Sequence, residues 1–396
     1  MIADKIQTNL QQSSLIRAMF EEGETLRKKV GAENVFDFSL GNPDPEPPQA
    51  FKDALKTLVL EDAPGLHAYM NNAGYPQVRE KIAAQIHAES GRNLTAQHIV
   101  MTVGAGGALN VILKTILNPD DEVIVFKPYF TEYKFYVDNH GGQIVELATN
   151  PKDFAPDLQL LEQSINAKTR AVLINSPNNP TGVVYSEQLL QDMAAVIERK
   201  EREFSREIFL IADEPYKELV YDGIRLPQVF NIFKNAMIAT SFSKSQSIPG
   251  ARIGYLAVND RIADVPTLIN GLIFANRTLG YVNAPGLFQK AAALALGHYV
   301  DKNIYAERRN ILYHHLIQLG FTCVKPQGAF YLFPKALIDD DMAFKDQALT
   351  HNLIIVPGRT FGCPGYFRLS YCVSMQTIER SLAAFTALAH DFGQRV

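Results

Sequence analysis

Short apolar runs alternate with longer helical patterns between about residue 98 and residue 258. The seven runs cover 98–103, 122–126, 143–147, 171–175, 208–213, 236–240 and 253–258. They are nearly continuously apolar, without a polar residue at every second position, which is typical of strands buried on both faces of a mostly parallel sheet. Amphipathic stretches such as 186–203 predict the connecting helices. The pattern therefore predicts a doubly wound α/β fold that binds ligands beyond the carboxyl ends of its strands.

The pattern changes after about residue 290. A helical stripe stops at Gly320, a suitable C-terminal cap, and comprises Ile304, Ile311, Leu312, Leu316 and Leu319. Residues 367–373 alternate, which predicts a strand with Phe367 on one face and Arg368 on the other. Ser374 is the candidate N-cap of a last helix, whose buried stripe would be Ile378, Leu382, Phe385 and Leu388.

These changes predict two domains, as does the length of 396 residues, which is too long for one compact core. We expect a large domain over residues 46–290. A smaller α+β domain would consist of residues 1–45 and 291–396, joined by an N-terminal helix over about 13–28.

Composition and charge narrow the classes of partner. The chain is 47% hydrophobic and 20% charged, as in ordinary globular proteins, and its net charge of -4 argues against nucleic acid as a partner. The longest apolar stretch, 98–117, is interrupted by glycines and polar residues, so we expect no membrane span and no signal peptide. Three cysteines without metal-like spacing indicate no metal site and a reducing, cytoplasmic location.

A glycine-rich turn, TVGAGGALN, lies between a predicted strand and a predicted helix. Free backbone N–H groups at such a helix start can bind an anion. The motif lacks the third glycine of a dinucleotide-binding fingerprint, because Leu109 follows Gly104, Gly106 and Gly107. A simple tight turn and a phosphate cradle both remain open interpretations.

Polar side chains follow three further strands. Asp213 ends the strand of IADEPY and is either a helix cap or a partner for a protonated ring nitrogen, with Tyr216 three residues later. Asn179 lies in NSPNNPTG, which is a turn under either interpretation. The segment SFSKSQSIPGARIGY contains Lys244 and Arg252, where a solvated lysine is the alternative to a functional one.

Arg368 is either a surface residue on an edge strand or a residue in the cleft between the domains, where its planar guanidinium group could bind a carboxylate through two hydrogen bonds. Taken singly, each of these groups has an ordinary structural explanation. Together they place a lysine, an acid, a phenol, an amide and an anion cradle at the same edge of one sheet. Such a set suits a phosphorylated aldehyde that has a basic ring nitrogen.

The motifs resemble, nearly from end to end, the class I/II aminotransferase family of fold-type I pyridoxal-phosphate enzymes, of the aspartate and aromatic aminotransferase type. The lysine segment SFSKSQSIPGARIG matches the family signature throughout. The motifs YMNNAG, PYFTEY, NNPTG, DEPY, PQGAFYLF and PGRTFG occur in the expected order. The resemblance implies a large domain with a mostly parallel seven-stranded sheet covered by helices on both faces, and a smaller α+β domain.

The resemblance also implies roles for individual residues. Lys244 would form an imine with pyridoxal 5'-phosphate and later act as the base that moves the substrate's α-proton. Asp213 would keep the ring nitrogen protonated, and Tyr216 and Asn179 would hydrogen-bond the ring oxygen. The other implied cofactor-binding residues are Phe130, which would stack on the ring, Gly104, Ala105, Gly106, Ser241, Ser243, Arg252 and, from a second subunit, Tyr69. The implied residues for the substrate's α-carboxylate are Arg368, Gly41 and Asn179.

The implied function is ping-pong transfer of an α-amino group between an L-amino acid and a 2-oxo acid by a homodimer with shared active sites. Aspartate or an aromatic amino acid with 2-oxoglutarate are the candidate pairs. Gly106 stands where some aspartate-using relatives have a lysine. Arg277 lies within one residue of an arginine that crosses the dimer interface in others, which makes dicarboxylic specificity a hypothesis.

Three other functions compete with this interpretation. A pyridoxal-phosphate β-lyase, such as a cysteine-sulfur lyase, would use the same Lys244, Asp213 and Tyr216. A transcription regulator would need a DNA-binding module for which the chain has no spare length. A nicotinamide dehydrogenase would leave Lys244 without a role.

Overall fold

The structure is a computed structural model that describes residues 1–394, apart from the side chains of residues 11–21. Of the N-terminal helix predicted over about 13–28, the side chains of residues 13–21 therefore lie outside the described residues. The helices are α1 (Asp4–Val30), α2 (Gln49–Glu61), α3 (Pro76–Ser90), α4 (Gly104–Ile116), α5 (Glu132–Asn139), α6 (Leu158–Ser164), α7 (Glu187–Phe204), α8 (Val229–Ile232), α9 (Phe242–Ser245), α10 (Val265–Thr278), α11 (Gly286–Leu294), α12 (Lys302–Gln318), α13 (Asp341–Thr350) and α14 (Met375–Asp391).

The strands form three sheets. They are β1 (Phe36–Asp37), β2 (Ile99–Thr102), β3 (Glu122–Lys127), β4 (Gln143–Ala148), β5 (Thr169–Asn175), β6 (Phe209–Asp213), β7 (Ala236–Ser241), β8 (Gly254–Val258), β9 (Tyr331–Leu332), β10 (Leu353–Ile354), β11 (Val356–Pro357) and β12 (Phe367–Ser370). Seven of them form one large sheet in the order β2-β8-β7-β6-β5-β3-β4.

The large sheet is mostly parallel, and all seven apolar runs of the sequence are its strands. Only β8 runs antiparallel to its neighbours, β2 and β7. Successive residues of one strand belong to different hydrophobic clusters: Ile124 packs in one, and Val123 and Val125 pack in another. Both faces of the sheet are therefore buried, which explains the nearly continuous apolarity. The exception is β4, a partly exposed edge strand.

Helix boundaries follow capping residues that the sequence shows. The Ser186 hydroxyl accepts a hydrogen bond from the Leu189 N–H at the start of α7, and the Ser374 hydroxyl accepts one from the Thr377 N–H at the start of α14. The apolar stripe of α12 stops before Gly320, which follows the helix with a left-handed φ of 86°. Among the described residues, no helix is long and apolar enough to cross a membrane.

The C-terminal part contains two smaller sheets around a separate apolar cluster. Strand β12 lies between β11 and β9 and is antiparallel to both, while β10 pairs in parallel with β1. The predicted strand over 367–373 ends at Ser370, and all four of its residues are buried. The edge-strand alternative for Arg368 is therefore wrong, because neighbouring strands cover both sides of β12.

Glu214 is a buried acid directly after β6, with 8% of its surface exposed. Burial raises the pKa of its carboxyl group to about 8, with the nearby Lys217 opposing and Glu89 adding to the rise. The folded protein thus holds this proton more tightly than the unfolded chain, in which the pKa is about 4.3. The stability contributed by this group is present at low pH and falls as the pH rises toward 8.

Replacement of Glu214 by Gln should remove this decline. Between pH 5 and pH 9, wild type should lose roughly 2–5 kcal/mol of unfolding free energy relative to Glu214→Gln. Urea unfolding at several pH values measures the difference, and Glu207→Gln at an exposed position is the control. Parallel stability curves for wild type and Glu214→Gln would contradict the burial of an ionisable group at this position.

Candidate active site

A cavity of about 420 Å³ lies at the carboxyl ends of β5, β6 and β7, beside the start of α4 and strands β9, β11 and β12. This volume is within the range of small-molecule sites. Twelve of the residues expected at the site line it: Gly41, Ala105, Gly106, Phe130, Asn179, Asp213, Tyr216, Ser241, Ser243, Lys244, Arg252 and Arg368. Residues as far apart in the chain as Gly41 and Arg368 thus share one cavity.

Asp213 is the last residue of β6 and is 5% exposed. Its Oδ2 accepts a hydrogen bond of 2.5 Å from the Tyr133 hydroxyl, while its Oδ1 is buried without a partner among the described residues. Burial raises the pKa of this carboxyl group to about 7, and the hydrogen bond from Tyr133 opposes the rise. No described helix begins at Asp213, so the helix-cap alternative is wrong.

Asn175 connects the turn that contains Asn179 to the end of β6. Its Nδ2 donates to the Asp213 carbonyl oxygen over 2.8 Å, and its Oδ1 accepts from the Asn179 N–H over 2.7 Å. Asn175 and Asp213 are also register partners in the sheet. These bonds hold the NSPNNPTG turn against the strand that positions the acid.

Lys244 lies in α9, the short helix that directly follows β7. Its Nζ donates a hydrogen bond of 2.6 Å to the Gly41 carbonyl oxygen. Burial lowers the pKa of this amine to about 8, and the cationic Arg252 and Arg368 lower it further. A large fraction of the amine is therefore neutral near pH 8, which contradicts the alternative of a solvated lysine.

Arg252 lines one end of the cavity at the start of α4, and Gly104 borders this end through its contact with Arg252. Gly104 has a φ of 80°, and a Cβ at this position would lie 2.9 Å from Arg252 Nη2. Arg252 itself has a left-handed φ of 49°, and its Nη2 donates to the Val103 carbonyl oxygen over 3.3 Å. A guanidinium group thus lies beside the N-terminus of a helix, an arrangement that favours an anion.

Arg368 is a buried guanidinium group without an acidic partner among the described residues. Its Nη1 donates to Asn179 Oδ1 over 3.0 Å, its Nη2 donates to the Ser39 carbonyl oxygen over 2.6 Å, and its Nε has no partner. Its Cζ lies 4.8 Å and 4.7 Å from the ring centroids of Tyr331 and Phe361. Burial lowers the pKa of the guanidinium group. A carboxylate ligand would relieve this uncompensated charge.

Three residues with an expected role do not line the cavity of their own chain. The Tyr69 side chain is almost fully exposed, at 94%, and Arg277 is an exposed residue in the last turn of α10. Gly104 does not line the cavity either, although it contacts Arg252.

Other residues at the site were not assigned from the sequence. Tyr331 lines the cavity, and the Tyr133 hydroxyl donates a hydrogen bond to the Asp213 carboxylate. Both lie in motifs that were noted, PQGAFYLF and PYFTEY, so the signal was present without a role for the phenol. Further lining residues outside the expected set include Ser39, Leu109, Glu132, Tyr136, Asn175 and Phe361.

The donor set fits pyridoxal phosphate. The unpartnered Asp213 Oδ1 suits a protonated ring nitrogen, the amine of lowered pKa suits an aldehyde, and the Gly104–Arg252 end suits a phosphate. These three groups line or border one cavity, as a single molecule with these three features requires.

Comparison with known proteins agrees with this fit. The family model "Aminotransferase class I and II" matches residues 33–385. An aminotransferase structure from Eubacterium rectale is similar at a TM-score of 0.95 and 41% identity, covering 99% of each chain. The aspartate aminotransferase of Thermotoga maritima is 32% identical over 88% of this chain and 90% of its own. A probable aspartate/prephenate aminotransferase of Thermus aquaticus is 30% identical over 87% and 89%. The chain therefore belongs to the class I and II aminotransferase family and is a pyridoxal-phosphate-dependent aminotransferase.

Proposed function

We propose that this cavity transfers an α-amino group between an L-amino acid and a 2-oxo acid by a ping-pong mechanism, with Lys244 as the central group. The main support is the buried Arg368, which has no acidic partner in the part of the chain that the structure describes and shares the cavity with an amine of lowered pKa. A substrate carboxylate bound to Arg368 would hold the α-carbon within the same enclosed space as Lys244. The neutral amine would bind the cofactor aldehyde and then move the α-proton.

Bound pyridoxal phosphate would supply an electron-withdrawing ring that stabilises charge at the substrate's α-carbon. The chain's residues would then orient the substrate and move protons. A well-placed base such as Lys244 contributes roughly 10²- to 10⁴-fold in rate. Asp213 would keep the ring nitrogen protonated, which is supported by its unpartnered Oδ1 and its contact with Tyr133.

The remaining residues would orient the two ligands. Tyr216 and Asn179 would hydrogen-bond the ring oxygen, and Phe130 would stack on the ring. The phosphate would be bound by the residues at the α4 end and the serines of the lysine segment: Gly104, Ala105, Gly106, Ser241, Ser243 and Arg252. The substrate's α-carboxylate would be bound by Arg368, with Asn179 and Gly41 beside it, as the Arg368–Asn179 hydrogen bond supports.

A homodimer with shared sites is part of this proposal. The nearly full exposure of Tyr69, in a chain whose cavity it does not line, supports its insertion into the site of a second copy.

We also propose the division into domains 46–290 and 1–45 with 291–396, which is supported by the pairing of β1 with β10. A cytoplasmic location is supported by three cysteines that form no disulfide.

The candidate substrates are aspartate or an aromatic amino acid with 2-oxoglutarate. Relatives named for aspartate support aspartate as the amino donor. The β-lyase alternative is not favoured, because the relatives reported above are named as aminotransferases.

Lys244→Ala should abolish turnover, because it removes both the covalent attachment of the cofactor and the base. Wild type should exchange amino groups between an amino acid and 2-oxoglutarate, and borohydride should tag the peptide that contains Lys244. Lys345→Ala, at another lysine, should retain the tag and the activity. Substantial activity in Lys244→Ala would contradict the role of this lysine, and pyruvate plus ammonia from one substrate would indicate a lyase.

Tyr133→Phe should destabilise the cofactor-free protein in a pH-dependent manner. At pH 9, Asp213 is ionised and loses its one side-chain hydrogen bond, which costs about 1–3 kcal/mol. At pH 5, below its pKa of about 7, the carboxyl group is neutral and the loss should be smaller. Urea unfolding at both pH values measures this difference, with Tyr185→Phe as a buried control. Equal losses at pH 5 and pH 9 would argue against this charge-assisted bond.

Arg277→Ala tests dicarboxylic specificity. If Arg277 of one subunit binds the distal carboxylate in the site of the other, the variant should lose roughly 10- to 100-fold in kcat/KM for aspartate but little for phenylalanine. Steady-state kinetics with both donors measures the ratio of the two kcat/KM values. The control is Arg199→Ala, which removes an exposed ion pair between α7 and Glu162 of α6. Equal aspartate kinetics in wild type and Arg277→Ala would remove the basis for this specificity.

A further inference from the structure

We propose that Tyr331 is a positioning residue, whose hydroxyl orients the phenol of Tyr216 and whose ring supports the guanidinium group of Arg368. Tyr331 is the first residue of β9, is 2% exposed and lines the cavity. This inference rests on the proposed function, because it concerns how two residues of that site are held in place.

The hydroxyl of Tyr331 contacts the hydroxyl of Tyr216. The two oxygens are 2.9 Å apart, and the rings meet edge to face at a centroid distance of 5.8 Å. We assign Tyr331 as the donor, because Tyr216 has a single hydrogen and its proposed contact with the cofactor ring oxygen uses it. A hydrogen bond accepted by the Tyr216 oxygen makes Tyr216 a stronger donor, since hydrogen bonds in a chain polarise one another.

The ring of Tyr331 faces the substrate-binding arginine. Arg368 Cζ lies 4.8 Å from the ring centroid, which is within the range of a cation–π interaction. Tyr331 is the register partner of Ser370, so β9 and β12 hold the ring and the guanidinium group on adjacent strands. This contact matters because Arg368 has no acidic partner among the described residues.

Gly41 makes room for the Tyr331 hydroxyl beside Lys244. A Cβ on Gly41 would collide with this hydroxyl, and the Gly41 carbonyl oxygen accepts the hydrogen bond from Lys244. One phenol therefore borders the groups proposed to bind the α-carboxylate, the ring oxygen and the aldehyde. The titratable and charged groups around the Tyr331–Tyr216 pair include Asp213, Tyr133, Arg368 and Cys372.

The hydroxyl and the ring can be tested separately. Tyr331→Phe removes the hydroxyl and keeps the ring. The pH midpoint of the visible absorbance of the bound cofactor should then rise by roughly half a unit, because Tyr216 stabilises negative charge on the ring oxygen less well. Tyr216→Phe should shift the midpoint in the same direction and further, and Tyr216→Phe/Tyr331→Phe should match Tyr216→Phe alone.

Tyr331→Leu removes the ring as well. It should raise KM for the amino donor roughly 3- to 10-fold with a smaller change in kcat, because Arg368 loses one of its two aromatic neighbours and keeps only Phe361. Tyr371 is the matched control: it is fully buried, its hydroxyl donates to the Ala329 carbonyl oxygen over 3.2 Å, and it does not line the cavity. Tyr371→Phe should alter stability and leave the absorbance midpoint unchanged.

A midpoint that Tyr331→Phe leaves at the wild-type value would overturn the role of the hydroxyl. So would a Tyr331→Phe shift that adds fully to that of Tyr216→Phe. An unchanged KM in folded Tyr331→Leu would overturn the role of the ring, and Tyr331→Phe keeps the inference testable if the leucine variant does not fold. Retention of both turnover and the borohydride tag in Lys244→Ala would instead overturn the proposed function.

Discussion

The site depends on charged groups that are buried without a complete set of partners within the chain. Among the described residues, Arg368 has hydrogen bonds to an amide and a carbonyl oxygen but no acidic partner, and one oxygen of Asp213 has no hydrogen-bond partner. Burying such groups is costly unless something compensates their charge. An anionic substrate and a cationic ring nitrogen would provide that compensation, so the same burial that destabilises the chain alone favours binding of these ligands.

The large sheet keeps these groups in place. Strands β5, β6 and β7 are buried on both faces and lie in register, so Asn175, Asp213 and Ala239 occupy neighbouring positions at one edge. Lys244 lies in the short helix that directly follows β7, so the end of that strand fixes its position at the same edge. Strands β9 and β12 approach from the C-terminal part and bring Arg368 and Tyr331 to the opposite side of the cavity.

The sequence was most informative where a property repeats locally. The seven strands, the serine cap of α14 and the glycine that follows α12 all depend on residues close together in the chain. Lys244 and Asp213 could also be identified from the sequence, because each lies at or just after the end of a strand in a recognisable motif. For 367–373 the strand was predicted correctly as far as Ser370, but the alternation did not show that both of its faces are buried. Phe321 and Phe344 contact Phe367 on one face, and Tyr331 and Phe361 contact Arg368 on the other, and none of these residues is adjacent in the sequence.

The sequence by itself determined the order of strands and helices, the class of the fold and the family to which the chain belongs, since hydrophobic periodicity, caps and motifs are local properties. Only the tertiary structure decided which of those residues meet. Arg368 and Asn179 are 189 positions apart, Tyr331 and Tyr216 are 115 apart, and their contacts depend on how β9 and β12 pack against the large sheet. The lowered pKa of the Lys244 amine likewise comes from burial and from the charges of Arg252 and Arg368, and neither the burial nor the approach of Arg368 is encoded in a local pattern.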